Sequence, residues 1–194
     1  LPTSFANKSL SELPFDLETE LELAIGADQV WQVGLEWGQP RSGHPEGQVK
    51  YHIRDVMDNI DRFFSCDNNR SKLRLVALIH DTLKYQVANL KRKKHKPSHG
   101  YLARKFAEQY IHDQRILQVI ELHDEAYFAS RLLTRGGDAE CATRQARELI
   151  TRLGDNLDLF MQFYLCDNQT GAKSSTHYEW FSRLAEKYTQ SGES

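Results

Sequence analysis

Cysteine is scarce in this chain of 194 residues, and the three present, Cys66, Cys141 and Cys166, make no pair at a short metal-ligand spacing. An odd number so placed excludes a disulfide framework or a thiolate zinc finger, and a reducing cytoplasm is the expected compartment. A basic excess is also missing. The 25 lysines and arginines against 27 acidic residues leave a net charge of −2, which excludes a dedicated duplex-DNA binder. Long apolar runs are absent: stretches such as Leu75 to Ile79 fall far short of the ~20 residues that span a bilayer, and no signal-peptide pattern opens the sequence. Nor does any segment alternate β-branched and polar residues as a half-buried strand does. What remains is a chain that is 40% hydrophobic, of a length that buries about 70% of its unfolded surface around one core. Folding needs no metal staple, so any metal serves chemistry.

The helical period fills most of the chain. Residues 1–15 read as a loosely ordered leader and 16–190 as one helical domain. Asp16 to Gln39 reads as helix interrupted at Gly26 and Gly34, and Gln39 to Gly47, with two prolines and two glycines, as a loop. From Val49 the apolar residues 49, 53, 56, 57, 60, 63 and 64 share one helical face. Leu73 to Ile79 is apolar nearly all round, as a central buried helix is. Ser98, Asp113 and Asp138 stand where they cap helices running to Tyr110, Ser130 and Leu153. Leu157 to Cys166 reads as another buried helix, with Cys166 a small hydrophobe, and Tyr178 to Tyr188 as a last amphipathic one. The fold class expected is all-α, a single-domain helical bundle.

Three of these helices carry an apolar run straight into a histidine or aspartate: Leu73 to Ile79 into His80 and Asp81, Ile116 to Leu122 into His123, and Leu157 to Cys166 into Asp167. Burying such groups unpaired costs several kcal/mol, so they must meet one another or a shared cation. His52, between Val49 and Val56, and His99, three residues before Leu102, also turn inward. His52, His80, Asp81, His99, His123 and Asp167 thus converge from different elements. Four imidazoles and two carboxylates without thiolate suit a divalent transition metal: Fe, Mn, Co, Zn or Ni. Six donors exceed what one catalytic ion needs. Neighbouring residues of a helix point about 100° apart, so His80 and Asp81 approach one ion while the second oxygen of Asp81 reaches another. Two ions ~3.5–4 Å apart, holding a water between them, suit the hydrolysis of phosphate esters. Asp124 is expected to face solvent, and His112 with Asp113 to form an interhelical turn and its cap.

The stretch LRLVALIHDTLKY, Leu73 to Tyr85, resembles the His-Asp signature of the HD-domain superfamily of metal-dependent phosphohydrolases. HPEGQVKYHIRDV, His44 to Val56, resembles its first-histidine segment, particularly as found in bacterial tRNA nucleotidyltransferases, and FMQFYLCDNQTG, Phe160 to Gly171, its closing aspartate helix. The resemblance implies the HD fold, with His52, His80, Asp81 and Asp167 as the four-ligand minimum. His99 and His123 fall where two-metal members, such as HD-GYP phosphodiesterases and HD-type di-iron oxygenases, place further histidines. Lys84 matches a lysine that contacts substrate phosphate. Thr82 and Leu83 depart from the small residue and glycine of many members. With no Gly-Tyr-Pro motif and no acidic pair after His80-Asp81, neither a cyclic-di-GMP nor a guanosine-tetraphosphate substrate is implied.

The activity this implies is that of a metal-dependent phosphomonoesterase or phosphodiesterase with one or two ions. Asp81 and Lys84 are the catalytic candidates and Lys84 also binds substrate. The basic run Lys91 to Lys96, with Lys91 and Arg92 foremost, reads as a positive rim for a phosphorylated substrate, and His44 as a pocket residue. The partner expected is a small phosphorylated molecule, a nucleotide among the candidates, and no membrane. Two alternatives use the same residues: an oxygenase with two irons, and a sensor domain that binds nucleotide or metal without turnover.

Overall fold

The helical periods close into eleven α-helices, with no strand, among the residues that the computed structural model describes: 12–41, 45–89, 97–134, 137–171 and 173–191. In chain order they are α1 (Glu20–Gly26), α2 (Gln29–Leu35), α3 (Val49–Phe64), α4 (Arg70–Ile79), α5 (Lys84–Asn89), α6 (His99–Ala107), α7 (Gln114–Leu122), α8 (Glu125–Thr134), α9 (Ala139–Leu153), α10 (Leu157–Asn168) and α11 (Thr176–Ser191). A 3-10 turn, Gly154–Asn156, joins α9 to α10. None of the described helices is long and apolar enough to cross a membrane. Most of the expected leader lies outside the described residues, while Leu13 and Phe15 pack partly buried against the core.

Helices α4 and α10 form the centre. The α4 residues Leu73, Val76, Ala77, Leu78 and Ile79 are fully buried, as are Leu159, Phe160 and Cys166 of α10. α4 packs on α3, α7 and α10, and α10 reaches α3, α7, α9 and α11. Phe160 meets Phe181 edge-on at 5.9 Å, which seats α11. The caps stand where the sequence places them: Ser98 Oγ accepts from the Tyr101 N–H, Asp113 Oδ1 from Arg115 and Asp138 Oδ1 from Glu140 and Cys141. Each satisfies an amide that a helix start leaves without an intrahelical partner.

One expected interruption holds, one does not, and one helix expected as continuous is divided. The segment 16–39 breaks after Gly26, as expected, where Asp28 turns its carboxylate onto the Val30 N–H at 2.7 Å and caps a new helix, whereas Gly34 lies inside α2 without breaking it. The segment 113–130 breaks at His123 and Asp124, between α7 and α8.

The end of α4 accounts for its own carbonyls. His80 Nδ1–H donates to the Ala77 carbonyl at 2.9 Å, the Trp31 indole N–H to Leu78 at 2.7 Å, and the Thr82 hydroxyl and amide to Ile79. Trp31 brings α2 against this corner, and Gly34 permits the approach: a Cβ there would stand 2.0 Å from the Thr82 carbonyl oxygen. A second tie comes from Arg74, buried on α4, whose guanidinium grips Glu22 of α1 at 2.9 and 3.1 Å. The His80-Asp81 turn is thus clamped between α2 and the core.

Candidate metal centre

The turn after α4, the start of α6, the turn after α7, the core face of α3 and the last turn of α10 all point to one place. They bring together the six residues singled out in the sequence. His52, His80 and Asp167 form one group that could hold a metal ion, and Asp81, His99 and His123 a second; within each group the donor atoms lie within 4.8 Å of one another. His52 Nε2 stands 3.2 Å from His80 Nε2 and 3.0 Å from Asp167 Oδ1. His99 Nε2 and His123 Nε2 are 3.1 Å apart.

Asp81 lies between the groups. Its Oδ2 is 3.5 Å from His80 Nε2 and 3.7 Å from His52 Nε2, while its Oδ1 is 3.4 Å from His123 Nε2 and 3.5 Å from His99 Nε2. Each oxygen faces one group. Oδ1 is buried and has no hydrogen-bond partner among the described residues, a costly state for a carboxylate oxygen unless a ligand completes it.

The imidazoles are set to donate electron pairs. A carbonyl only accepts, so the bonds from His80 Nδ1 to Ala77 and from His123 Nδ1 to Ile120, 2.8 Å, place a proton on each Nδ1. That leaves both Nε2 atoms with a lone pair toward the cluster, the tautomer that a metal-ligating histidine adopts. Burial drives the His80 pKa down to about 3, against the pull of Asp81, so its ring is neutral. His99 behaves oppositely: burial lowers it, but the neighbouring carboxylates of Asp124 and Asp81 outweigh that and raise it to about 9. Burial also works to raise the Asp81 carboxyl. The Lys84 ammonium and His80 beside it prevail and hold it well below the usual carboxylate range. Asp167 is likewise held low, burial being overcome by Lys173 and His52. Concentrated carboxylate charge and facing lone pairs fit a divalent cation.

Two lysines attend the carboxylates. Lys84 Nζ is 2.5 Å from Asp81 Oδ2, and Lys173 Nζ is 2.8 Å from Asp167 Oδ1. Asp124 corrects the sequence reading: it does not face away into solvent. Its Oδ2 stands 3.2 Å from His99 Nε2, and its carboxyl is held low because His123 and His99 outweigh the burial that would raise it. The helix break at His123 turns the next residue back over the site. His112 is exposed and Asp113 is a cap, as read. His44, Lys91 and Arg92 lie outside the described residues.

A cavity of about 530 Å³ opens over Asp81, Lys84, His123, Asp124 and Asp167 and extends to Tyr127, Arg131, Tyr164, Asn168, Lys173 and His177. Lys173, Arg131, Tyr164 and Asn168 escaped the sequence reading. On α11, read as amphipathic, Phe181 is fully buried while Tyr178, Trp180 and Tyr188 lie against the core.

No curated protein and no solved structure matches the chain. A family model, the HD domain, matches residues 48–158, which span α3 to the start of α10 and include five of the six clustered residues. With more than half of its length matched by that model and the His-Asp clusters converging in an all-helical core, the chain belongs to the HD-domain superfamily of metal-dependent phosphohydrolases.

Proposed function

We propose that this protein hydrolyses phosphate esters at two divalent metal ions, one held by His52, His80 and Asp167, the other by His99 and His123, with Asp81 shared between them. The observation that carries this reading is the placement of Asp81: one carboxylate oxygen toward each group, Oδ1 buried without a hydrogen-bond partner among the described residues. Imidazole and carboxylate donors suit Fe, Mn, Co, Zn or Ni. Two such ions, when bound, acidify a water and draw charge from phosphoryl oxygens.

The chain's own residues do the rest. Lys84 lies on the cavity wall, its side chain 21% exposed, and holds an ammonium where phosphate charge gathers. Burial tends to strip its proton, but Asp81 and Asp124 keep it on, so the charge persists at neutral pH. Lys173, beside Asp167, and Arg131 add positive charge to the cavity lining, and Tyr127, Tyr164 and His177 supply ring surface for the organic part of a small phosphorylated substrate. Donors fixed in place before the reaction stabilise developing phosphate charge without reorganising. A nucleotide is one substrate with those parts.

Elemental analysis of gel-filtered protein, run beside a screen of phosphorylated compounds, tests the proposal. The parent is expected to hold about two ions per chain, and His99→Ala and His123→Ala about one each. Asp81→Ala should lose most metal and all turnover. A parent with a single ion would remove the two-metal arrangement. Redox-active iron with no turnover of any phosphorylated compound would replace hydrolysis by oxidation.

A further inference from the structure

One histidine on the cavity wall has nitrogens that take no part in the hydrolysis above. His177 stands in the first turn of α11, is half-buried, and lines the cavity together with Tyr127, Phe128 and Arg131 of α8. Its Nδ1 lies 2.8 Å from Oγ of Ser130, a buried residue, and that Oγ lies 2.8 Å from the Tyr127 carbonyl oxygen. A carbonyl only accepts, and a serine has one proton to give. Both contacts are hydrogen bonds only if the Ser130 hydroxyl donates to Tyr127 and accepts from His177 Nδ1–H. The ring proton is thereby fixed on Nδ1, and Nε2 keeps a lone pair.

Nε2 has no hydrogen-bond partner among the described residues, yet it is not one of their buried polar atoms, so it is an accessible acceptor. Burial, and then the charge of Arg131, hold the His177 pKa below the usual histidine value, which keeps the ring neutral at pH 7. The ring is also held in place. Tyr127 meets it edge-on with centroids 5.1 Å apart, and the Ser130 bond fixes the opposite edge. Distance from the metal ligands decides what such an acceptor serves. Ser130 stands five residues beyond Glu125, where α8 begins, a rise of about 7–8 Å. Proton transfer to a leaving oxygen needs about 3 Å, so His177 is not placed to protonate the leaving group. The organic part of the substrate is what reaches this wall. Phe128, apolar and 49% exposed, lies on it too. The wall thus offers ring surface for the body of a substituent and one fixed acceptor for a donor on it.

Building on the phosphohydrolase reading above, we infer that His177 is a specificity-determining residue: its Nε2 accepts a hydrogen bond from a hydroxyl or N–H on the organic part of the substrate, and Ser130 fixes the tautomer that allows it. The substrate class is a phosphate ester whose organic part is a ring or chain bearing a neutral donor. A plain hydrocarbon substituent would strip water from Nε2 and give nothing back, and a substituent offering only acceptors would meet lone pair with lone pair. The donor belongs about two helical turns from the phosphorus, which a group at the far side of a single ring reaches.

The test uses the full zinc-loaded chain and two esters matched in size: 4-(hydroxymethyl)phenyl phosphate, which carries a donor, and 4-ethylphenyl phosphate, which does not. Phosphate release gives kcat/KM, and titration calorimetry with the two corresponding benzylphosphonates gives Kd without turnover. The parent should prefer the hydroxymethyl compound by about three- to tenfold in both, the scale of one neutral hydrogen bond to a group that water also reaches. His177→Phe, which has no acceptor, should bring both ratios to about one. Ser130→Ala, which frees the imidazole to carry its proton on Nε2, should lower them partway. Nitrogen NMR of the imidazoles reads the tautomer directly: His177 should be protonated on Nδ1 in the parent and mixed in Ser130→Ala. Four results overturn the role of His177 and leave phosphate-ester hydrolysis standing: no preference in the parent, a preference that both variants keep, an Nε2–H tautomer in the parent, or cleavage of neither ester while other phosphate esters are cleaved. Neither turnover nor binding of any phosphorylated compound overturns both.

Discussion

Gly100 is one residue from His99, and its missing side chain sets the width of the second ligand group. A Cβ at this position would stand 2.3 Å from the Glu121 carbonyl oxygen of α7, against the 3.4 Å at which ordinary contact begins. Gly100→Ala must therefore move α6 off α7 by about 1 Å, and neither atom in the clash is the end of a flexible side chain. His99 rides on the helix that moves, while His123 and Asp81 stay with the core. Metal–ligand distances tolerate only about 0.2 Å, so one ion should be lost and one kept. Overpacking of this kind costs about 1–3 kcal/mol, and at about 2–4 °C per kcal/mol for a chain of this size the melting temperature should fall by about 2–12 °C. Gly34→Ala is the contrast. Its Cβ would meet the Thr82 carbonyl oxygen at 2.0 Å and push on the His80-Asp81 turn, which serves both groups, so both ions should go. Elemental analysis and thermal melts of the two variants read these outcomes. A Gly100→Ala protein with the parent's metal content and activity would refute the link between helix spacing and the second group.

Four further outcomes are expected. Lys84→Ala should keep its metal and lose about 10²–10³ in kcat/KM toward a phosphate ester, the scale of one preorganised donor; loss of the metal, or full activity, would contradict the role given to Lys84. Glu22→Ala leaves the buried Arg74 guanidinium with only Glu18 and the Asp16 carbonyl as partners, which should cost about 1–3 kcal/mol in urea unfolding; a cost within measurement error would mean the Glu22 pair contributes nothing. Stripping metal with a chelator should lower the melting temperature, since a ligand at 1,000 times its Kd adds about 4 kcal/mol; an unchanged melt would mean that no metal binds. Cys66 is exposed, whereas Cys166 is fully buried with its thiol pushed up to about 12, first by burial and then by Asp167. A bulky alkylating reagent should therefore label Cys66 in the native protein and reach Cys166 only after unfolding.

The parts of the site that sequence shows are those in which a polar residue interrupts an apolar run. His80, Asp81, His123 and Asp167 stand out because burying them is costly, and His52 and His99 because helical periodicity turns them inward. Asp124 gave no such signal. Its place depends on the break between α7 and α8, and the period of apolar residues runs on through that break. Lys173 joins the site from a loop six residues beyond Asp167, where no periodicity applies. Tyr164 and Asn168 share a face of α10 with hydrophobic residues, and only the cavity distinguishes them from core. Of the two glycines expected to interrupt the first helical segment, Gly26 does end α1, with the capping carboxylate of Asp28 opening α2, while Gly34 stays inside α2 because its bare Cα serves a close approach to Thr82 rather than a break.

The two imidazoles at the helix ends, His80 and His123, are aimed by carbonyl oxygens three residues back, at Ala77 and Ile120. Every amino acid brings that same oxygen. Substitutions at 77 and 120 can alter packing volume, yet none can delete the acceptor that fixes the ring and its proton. Many metal sites instead hold a histidine with the carboxylate of a distant side chain, which a single codon change removes. Here the protonation state of two donors is inherited with the helix itself, so the sequence around them is free to drift while their chemistry stays constant.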